Sequence, residues 1–415
     1  MKFMPKSFPA FLIVTVIVVL SARPIQAQTL TTLYSFKGAP DGNLPEAALV
    51  RDSVGNFYGT TVVGGTGTNC YFGPIGCGTV FKVDNTGKET VLYSFTGGAD
   101  GSEPTASLIL DAEGNLYGTT SSGGADGVVF KLDTSGNESV LYNFTGGADG
   151  GEPAVGLIRD PEGNFYGTTS AGGNAACNDG EGCGVVFKLD TTGNETVLYA
   201  FCQKSMCADG EFPYGEVIRD ARGSLYGTTV DGGSNANCTV SGGCGIVFKL
   251  DTTGKETVLH SFGGAPDGEE PYGSLIRDGA GNLVGITVQG GDVACNDIGL
   301  GCGIVFKINA SGEETVLYTF TGGAAGAYRL AGLIRDAKGN LYGTTETGGG
   351  GCAPDGCGVV FALDPSNKET VLHTFTGPDG EAPRAGLISD GKGNGYGTTS
   401  EGGAGDFGSV FEITR

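Results

Sequence analysis

One short motif recurs seven times along this 415-residue chain and leaves few architectures open. Tyr-Gly-Thr-Thr places its glycine at Gly59, Gly118, Gly167, Gly227, Gly285, Gly343 and Gly397, with successive spacings of 59, 49, 60, 58, 58 and 54 residues. The fifth copy departs from it, reading Val284-Gly285-Ile286-Thr287. Two further elements keep the same order: Val-Phe-Lys-Leu-Asp, led by Val80, Val129, Val186, Val247, Val305, Val360 and Val410, and Leu-Tyr-Ser-Phe, ending at Phe36, Phe95, Phe144, Phe201, Phe262, Phe320 and Phe375. A fixed period of this length means a repeat architecture, in which each unit buries its apolar faces against its neighbours.

Each unit reads as four short strands. In the third unit they are expected at 156–160, 164–169, 184–190 and 195–201, joined by Asp160-Pro161-Glu162-Gly163-Asn164 and by Thr191-Thr192-Gly193-Asn194, both of which are turn sequences. Alternation in the last strand would send Val197, Tyr199 and Phe201 one way and Leu198 and Ala200 the other. Both faces are apolar, as a blade packed between two blades requires.

The ends of the repeat decide between an open stack and a closed ring. The first unit to appear is a lone fourth strand, Thr32-Leu33-Tyr34-Ser35-Phe36, and the last lacks its fourth strand after Phe411 to Thr414. Pairing the two removes both exposed sheet edges. The expected fold is all-β: a seven-bladed β-propeller of four-stranded blades, closed by the N-terminal strand completing the last blade, as a single domain over 28–415.

These units resemble the bacterial exported repeat proteins of the Gloeobacter/Verrucomicrobium type. The matching residues are Tyr166-Gly167-Thr168-Thr169, Gly172-Gly173 and the run from Gly184 to Asp190, repeated over nearly the whole chain. The resemblance implies an exported repeat protein and brings no established activity with it.

Export is expected from the residues as well. Lys2 and Lys6 precede an apolar run over 11–20, and Ile25-Gln26-Ala27 offers a small-residue cleavage site, so 1–27 reads as a signal peptide. The expected product is a soluble, monomeric, secreted or periplasmic protein without membrane insertion. A formal charge of −22 argues against nucleic acid as a partner. Twelve cysteines fall into close pairs, Cys70/Cys77, Cys177/Cys183, Cys202/Cys207, Cys238/Cys244, Cys295/Cys302 and Cys352/Cys357. With an export signal these read as disulfides that stiffen protruding loops, each worth on the order of 2 kcal/mol.

Function is harder to extract. The connections between units carry Asp-Gly at Asp41, Asp100, Asp149, Asp209, Asp267 and Asp379, with Ala325-Gly326 in the sixth. A ring of these carboxylates could hold calcium, but Asp-Gly is also simply a good turn, and the turn reading is preferred, so no cofactor is expected. Arg51, Arg159, Arg219, Arg277 and Arg335 repeat at the end of the first strand and are expected to pair with nearby carboxylates such as the aspartate that follows each.

Departures from the repeat are better pointers to a ligand than shared residues. Tyr214 and Tyr272 open the first strand of the fourth and fifth units, where the others are read as Ala47, Thr105, Ala154, Leu330 and Arg384. The sixth unit adds Tyr328 and Arg329. With Asp209 and Asp267 in the adjoining connections, this sector is the expected binding site, on the face that carries the long loops. The expected role is a binding or interaction propeller for an extracellular polysaccharide or protein. A carboxylate-dependent polysaccharide hydrolase or lyase using Asp149/Glu152 or Asp267/Glu269 ranks second, and a structural cell-envelope protein close behind. No catalytic residue stands out. His260 and His373, the only histidines, occupy the tyrosine position of the fourth strand.

Overall fold

The computed structural model describes residues 28–234, 238, 242–295, 299–352 and 354–414; the export segment lies outside the described residues. Seven antiparallel sheets of four strands follow one another in chain order, each hydrogen-bonded first to second to third to fourth. In the third blade the strands are Ile158–Arg159, Phe165–Thr169, Val185–Leu189 and Glu195–Ala200. The first strand is two residues long in every blade, shorter than its apolar pattern suggests. The sixth blade gains an extra strand, Ala327–Leu330, paired with Leu341–Thr347. Among the described residues no helix is long and apolar enough to cross a membrane.

The seventh blade is completed by the N-terminal strand. Thr29–Ser35 lies antiparallel to Ser409–Thr414, from Thr29 opposite Thr414 to Ser35 opposite Ser409. The ring is therefore closed by hydrogen bonds between the first and last strands, and no blade lacks its fourth strand.

Strict alternation fails in the fourth strand. Every third-to-fourth pairing carries a register shift, and in the third blade Phe187 faces Val197 while the adjacent Val186 faces Tyr199. Leu198 is the extra residue of a bulge, which turns the strand over by one position. Val197 and Ala200 consequently pack toward the second blade, and Leu198, Tyr199 and Phe201 toward the fourth. The N-terminal strand carries the same bulge between Thr32 and Tyr34, as a true fourth strand should.

Blades are joined by phenylalanine. The residue after each fourth strand packs edge-on against the third-strand phenylalanine of the next blade, as in Phe201 on Phe248 (5.2 Å between centroids) and Phe375 on Phe411 (5.3 Å). The series returns to its start with Phe36 on Phe81 at 5.0 Å, and all of these rings are essentially inaccessible. The motif glycine exists to admit them: a Cβ on Gly227 would lie 2.7 Å from the ring tip of Phe248, and on Gly285 2.6 Å from that of Phe306.

The repeated arginines do not pair with the aspartates that follow them. Arg159 lies 5.3 Å from the ring centre of Tyr117 in the preceding blade and 5.4 Å from that of Phe165 in its own, and Arg219 and Arg277 repeat the contact over Tyr166 and Tyr226. Their electrostatic partners are also one blade back, as with Arg335 and Asp278 at 3.9 Å. The following aspartate is instead occupied by its own turn; Asp52 accepts from the Val54 and Asn56 amides and the Tyr58 hydroxyl. Each arginine is thus a stitch between blades.

The aspartates of the connections hold those connections together. Asp41, Asp100, Asp149 and Asp209 accept hydrogen bonds from Tyr34, Tyr93, Tyr142 and Tyr199, at 2.7, 3.0, 3.0 and 2.6 Å, and His260 and His373 contact Asp267 and Asp379 at 3.1 and 2.8 Å. Beside them Glu89, Glu138 and Glu195 each keep one oxygen buried without a partner. Burial, and then repulsion from Asp41, Asp100 and Asp149 respectively, pushes these carboxyls from the ordinary 4.5 to about 7.

Two outcomes follow from this packing. Phe36→Ala should cost about as much as Phe201→Ala, roughly 3–5 kcal/mol in denaturant unfolding; a cost below about 1 kcal/mol for Phe36→Ala would mean that the N-terminal strand does not close the ring. The raised glutamates bind protons more tightly folded than unfolded, so their contribution is complete below the unfolded value and is lost as pH rises through the folded one. The thermal midpoint should be higher at about pH 5 than at about pH 8, and replacing Glu89, Glu138 and Glu195 together by glutamine should flatten that difference.

Candidate functional site

Antiparallel connectivity puts the first-to-second and third-to-fourth turns at one end of the ring and the long loops at the other. All six expected disulfides form. Five lie in second-to-third loops, and Cys202–Cys207 lies in the connection into the fourth blade.

The expectation that these bridges merely stiffen protruding loops needs correction at one end of each of the five. Cys77 and Cys302 are inaccessible, and neither lies in an exposed loop or lines a pocket. Cys77 packs in the core with Val80, Phe95 and Leu108, and Cys302 with Val305, Phe320 and Leu333. Cys183, Cys244 and Cys357 are buried in the same way. The reason is position: each of these cysteines directly precedes the glycine that opens the third strand, so its side chain already enters the interior between blades. The bridge therefore ties the loop, through its first cysteine, to the hydrophobic core, where the second sulfur acts as a small apolar filler. Cys77 and Cys302 are structural anchors rather than residues of a binding surface. The sulfurs closest to Glu211, Glu269 and Glu381 also belong to disulfides, so they are not thiolates that could serve as metal ligands.

On the axis the residues that lead into the seven first strands line a cavity of about 360 Å³. In the fourth blade Tyr214 and Glu216 line the cavity while Val217 is fully buried in the blade core. The chain runs from the long-loop end inward, so Tyr214 belongs to an outer layer and Glu216 to a deeper one.

Aligned on the core residues Leu49, Leu108, Leu157, Val217, Leu275, Leu333 and Leu387, the outer layer contains Glu46 rather than Ala47 in the first blade. The residue after Pro45 corresponds to the residue after Pro104 and Pro213, and Ala47 is one step too far along. The correction matters because Glu46 is ion-paired with Arg384 of the neighbouring seventh blade, which also contacts Glu346 at 2.9 Å and Glu401 at 3.6 Å. One arginine is thereby held among three carboxylates. Across the cavity Tyr214 and Tyr272 stack nearly parallel, with centroids 5.1 Å apart and planes 8° apart.

The deeper layer holds small residues in six blades: Ala48, Ser107, Gly156, Ser274, Gly332 and Gly386. The fourth blade alone places a glutamate there. Glu216 reaches past Gly156 of the third blade toward Ser107 of the second. A Cβ on Gly156 would collide with the Glu216 carboxylate, so that glycine is what gives the side chain its place. What exposure Glu216 retains opens onto the cavity. Burial raises its pKa and the nearby Ser107 lowers it, with burial dominant.

Of the residues expected at the site from sequence, Tyr214 and Tyr272 are brought together on the axis. Tyr328, at φ 52°, packs against the core between the fifth and sixth blades and does not line the cavity; of Arg329 only the backbone is described. Asp209 is inaccessible and accepts from Tyr199 and from the amides of Gln203 and Lys204, while Asp267 contacts His260 and accepts from the Gly263 amide. Neither lines the cavity. Glu216, Glu46 and the Arg384 cluster were missed, although a column-by-column comparison of the units would have exposed Glu216 as the single large residue among small ones.

The repeat profile of the Gloeobacter/Verrucomicrobia family matches residues 21–241, 66–298 and 293–415. The chain belongs to that family. No curated protein sequence matches it. Among solved structures, virginiamycin B lyase from Staphylococcus aureus is similar over 94% of this chain and 99% of its own, with a TM-score of 0.58 and 14% identity. PorZ, a surface component of the type-IX secretion system of Porphyromonas gingivalis, is similar over 91% of this chain and 47% of its own, with a TM-score of 0.50 and 13% identity. At such identities the likeness is one of fold.

Gly156→Ala should destabilise the protein by about 1–3 kcal/mol, because the new methyl displaces the Glu216 carboxylate. In the background of Glu216→Ser most of that loss should vanish. Equal costs in both backgrounds, measured as a double-mutant cycle, would show that Glu216 does not lodge against Gly156.

Proposed function

We propose that the protein is an exported binding propeller that takes its ligand at the axial cavity, from the long-loop face. The observation that carries this reading is where the sevenfold repeat is broken: Glu216, the Tyr214/Tyr272 stack and the Glu46–Arg384 pair all line one cavity. The contacts between blades, by contrast, repeat round the ring for the same structural ends. A ligand seldom has sevenfold symmetry, so the asymmetric layer is the part of the ring suited to recognise one. Export is supported by the six disulfides, which persist in oxidising compartments. The lyase and the secretion component that share the fold have different roles by their descriptions, so the fold does not choose among activities.

The test is thermal unfolding of the oxidised protein against a panel of soluble polysaccharides and peptides. A ligand at about a hundred times its Kd should raise the midpoint by roughly 3 °C. Tyr214→Ala combined with Tyr272→Ala should abolish the rise. A rise that survives the double substitution would move the site off the axis.

A further inference from the structure

We propose that the group this cavity accepts is a primary ammonium on an unbranched stem, seated on the Glu216 carboxylate. The inference rests on the reading of the axial cavity as the binding site and deepens it. Glu216 is the only charged side chain of its layer, and the other six positions are alanine, serine or glycine. A carboxylate lodged against Gly156 at the wall of a cavity bears a desolvation cost that a ligand of opposite charge relieves and a neutral or anionic one does not.

The donors and acceptors suit an ammonium better than other cations. Calcium wants six to eight oxygens, whereas this layer offers one carboxylate and two hydroxyls, those of Ser107 and Ser274. A guanidinium needs a flat, two-pronged acceptor, and one oxygen of this carboxylate is turned against Gly156. An ammonium has three donors and no planar requirement, so one carboxylate with hydroxyls on the same cavity wall can satisfy it. Further out, Tyr214 and Tyr272 present ring surface along which methylenes can lie. A volume of about 360 Å³ is at the small end for a ligand pocket, enough for one projecting group but not for a polymer.

The surroundings attract cations. Glu46, Glu346 and Glu401 outnumber Arg384. The partner chemistry is therefore a lysine side chain or similar terminal amine carried on a larger molecule that rests on the long-loop face.

The test is calorimetric titration of the full oxidised protein with Nα-acetyl-lysine amide and with Nα-acetyl-norleucine amide, which has the stem without the charge. The wild type should prefer the lysine derivative by at least about tenfold. Affinity should fall as the solution is acidified, because burial raises the Glu216 pKa and only the ionised carboxylate pairs with an ammonium. Glu216→Gln, which keeps the shape, and Glu216→Ser, which restores the residue type of other blades, should both erase the preference. Equal binding of the two probes, a preference that survives both variants, or no binding of the lysine derivative at millimolar concentration overturns the proposal. If a polysaccharide or another peptide then still raises the midpoint in a Tyr214- and Tyr272-dependent way, the cavity reading stands and the ammonium assignment alone has failed; if nothing does, both have.

Discussion

The edge-on contact between a phenylalanine after one fourth strand and a phenylalanine of the next blade's third strand is the constraint on which the ring depends. It occurs at every blade boundary, from Phe36 on Phe81 round to Phe375 on Phe411. A buried aromatic ring removes a large apolar surface from water, and the edge-to-face geometry adds about 0.5–1.5 kcal/mol to each pair. The other regular features follow from accommodating that contact. The motif glycine leaves room for the ring, and the bulge before the end of the fourth strand sends the last phenylalanine toward the next blade. Arginine stacked on the preceding blade's tyrosine then fastens the same boundary nearer the axis.

Much of this was legible in the sequence because repetition multiplies weak signals. Four strands per unit, seven units, the pairing of the N-terminal strand, read as 32–36 and found as Thr29–Ser35, with the last sheet, and the local disulfides could be read from motif order and from which half-units lacked a partner. The bulge was not legible, since a two-residue periodicity has no mark for the one extra residue at Leu198. Nor was the true partner of each arginine. Sequence neighbours suggested Asp52 for Arg51, but the turn consumes Asp52, and the ring geometry brings the preceding blade closer than the following residue. The cysteine pairs were legible as bonds but not as places: spacing says which sulfurs can meet, not that Cys77 and Cys302 meet their partners from inside the core.

The candidate site was legible only in half. Tyr214 and Tyr272 stood out because aromatic residues are conspicuous, and the structure stacks them. Glu216 did not stand out, because glutamate is common throughout this acidic chain and its meaning lies in what the other six blades place at that depth. Asp209 and Asp267 drew notice as a series of carboxylates, and in a repeat protein such a series serves each unit. Their hydrogen bonds to the tyrosine or histidine of the same blade serve that purpose.

A ring stabilised by identical boundaries has a consequence for how it can specialise. The boundaries tolerate little change, since each phenylalanine fills space that a glycine across the sheet keeps open. The axial layers are different: their side chains meet across a cavity rather than in a packed core, so substitution there is limited by the volume of the cavity and by charge rather than by interlocking shape. Gly156 and Glu216 illustrate the limit. One blade could acquire a long acidic side chain because its neighbour offers only a hydrogen where a Cβ would stand. Specificity can therefore be written into the axis one blade at a time without disturbing the contacts that close the ring.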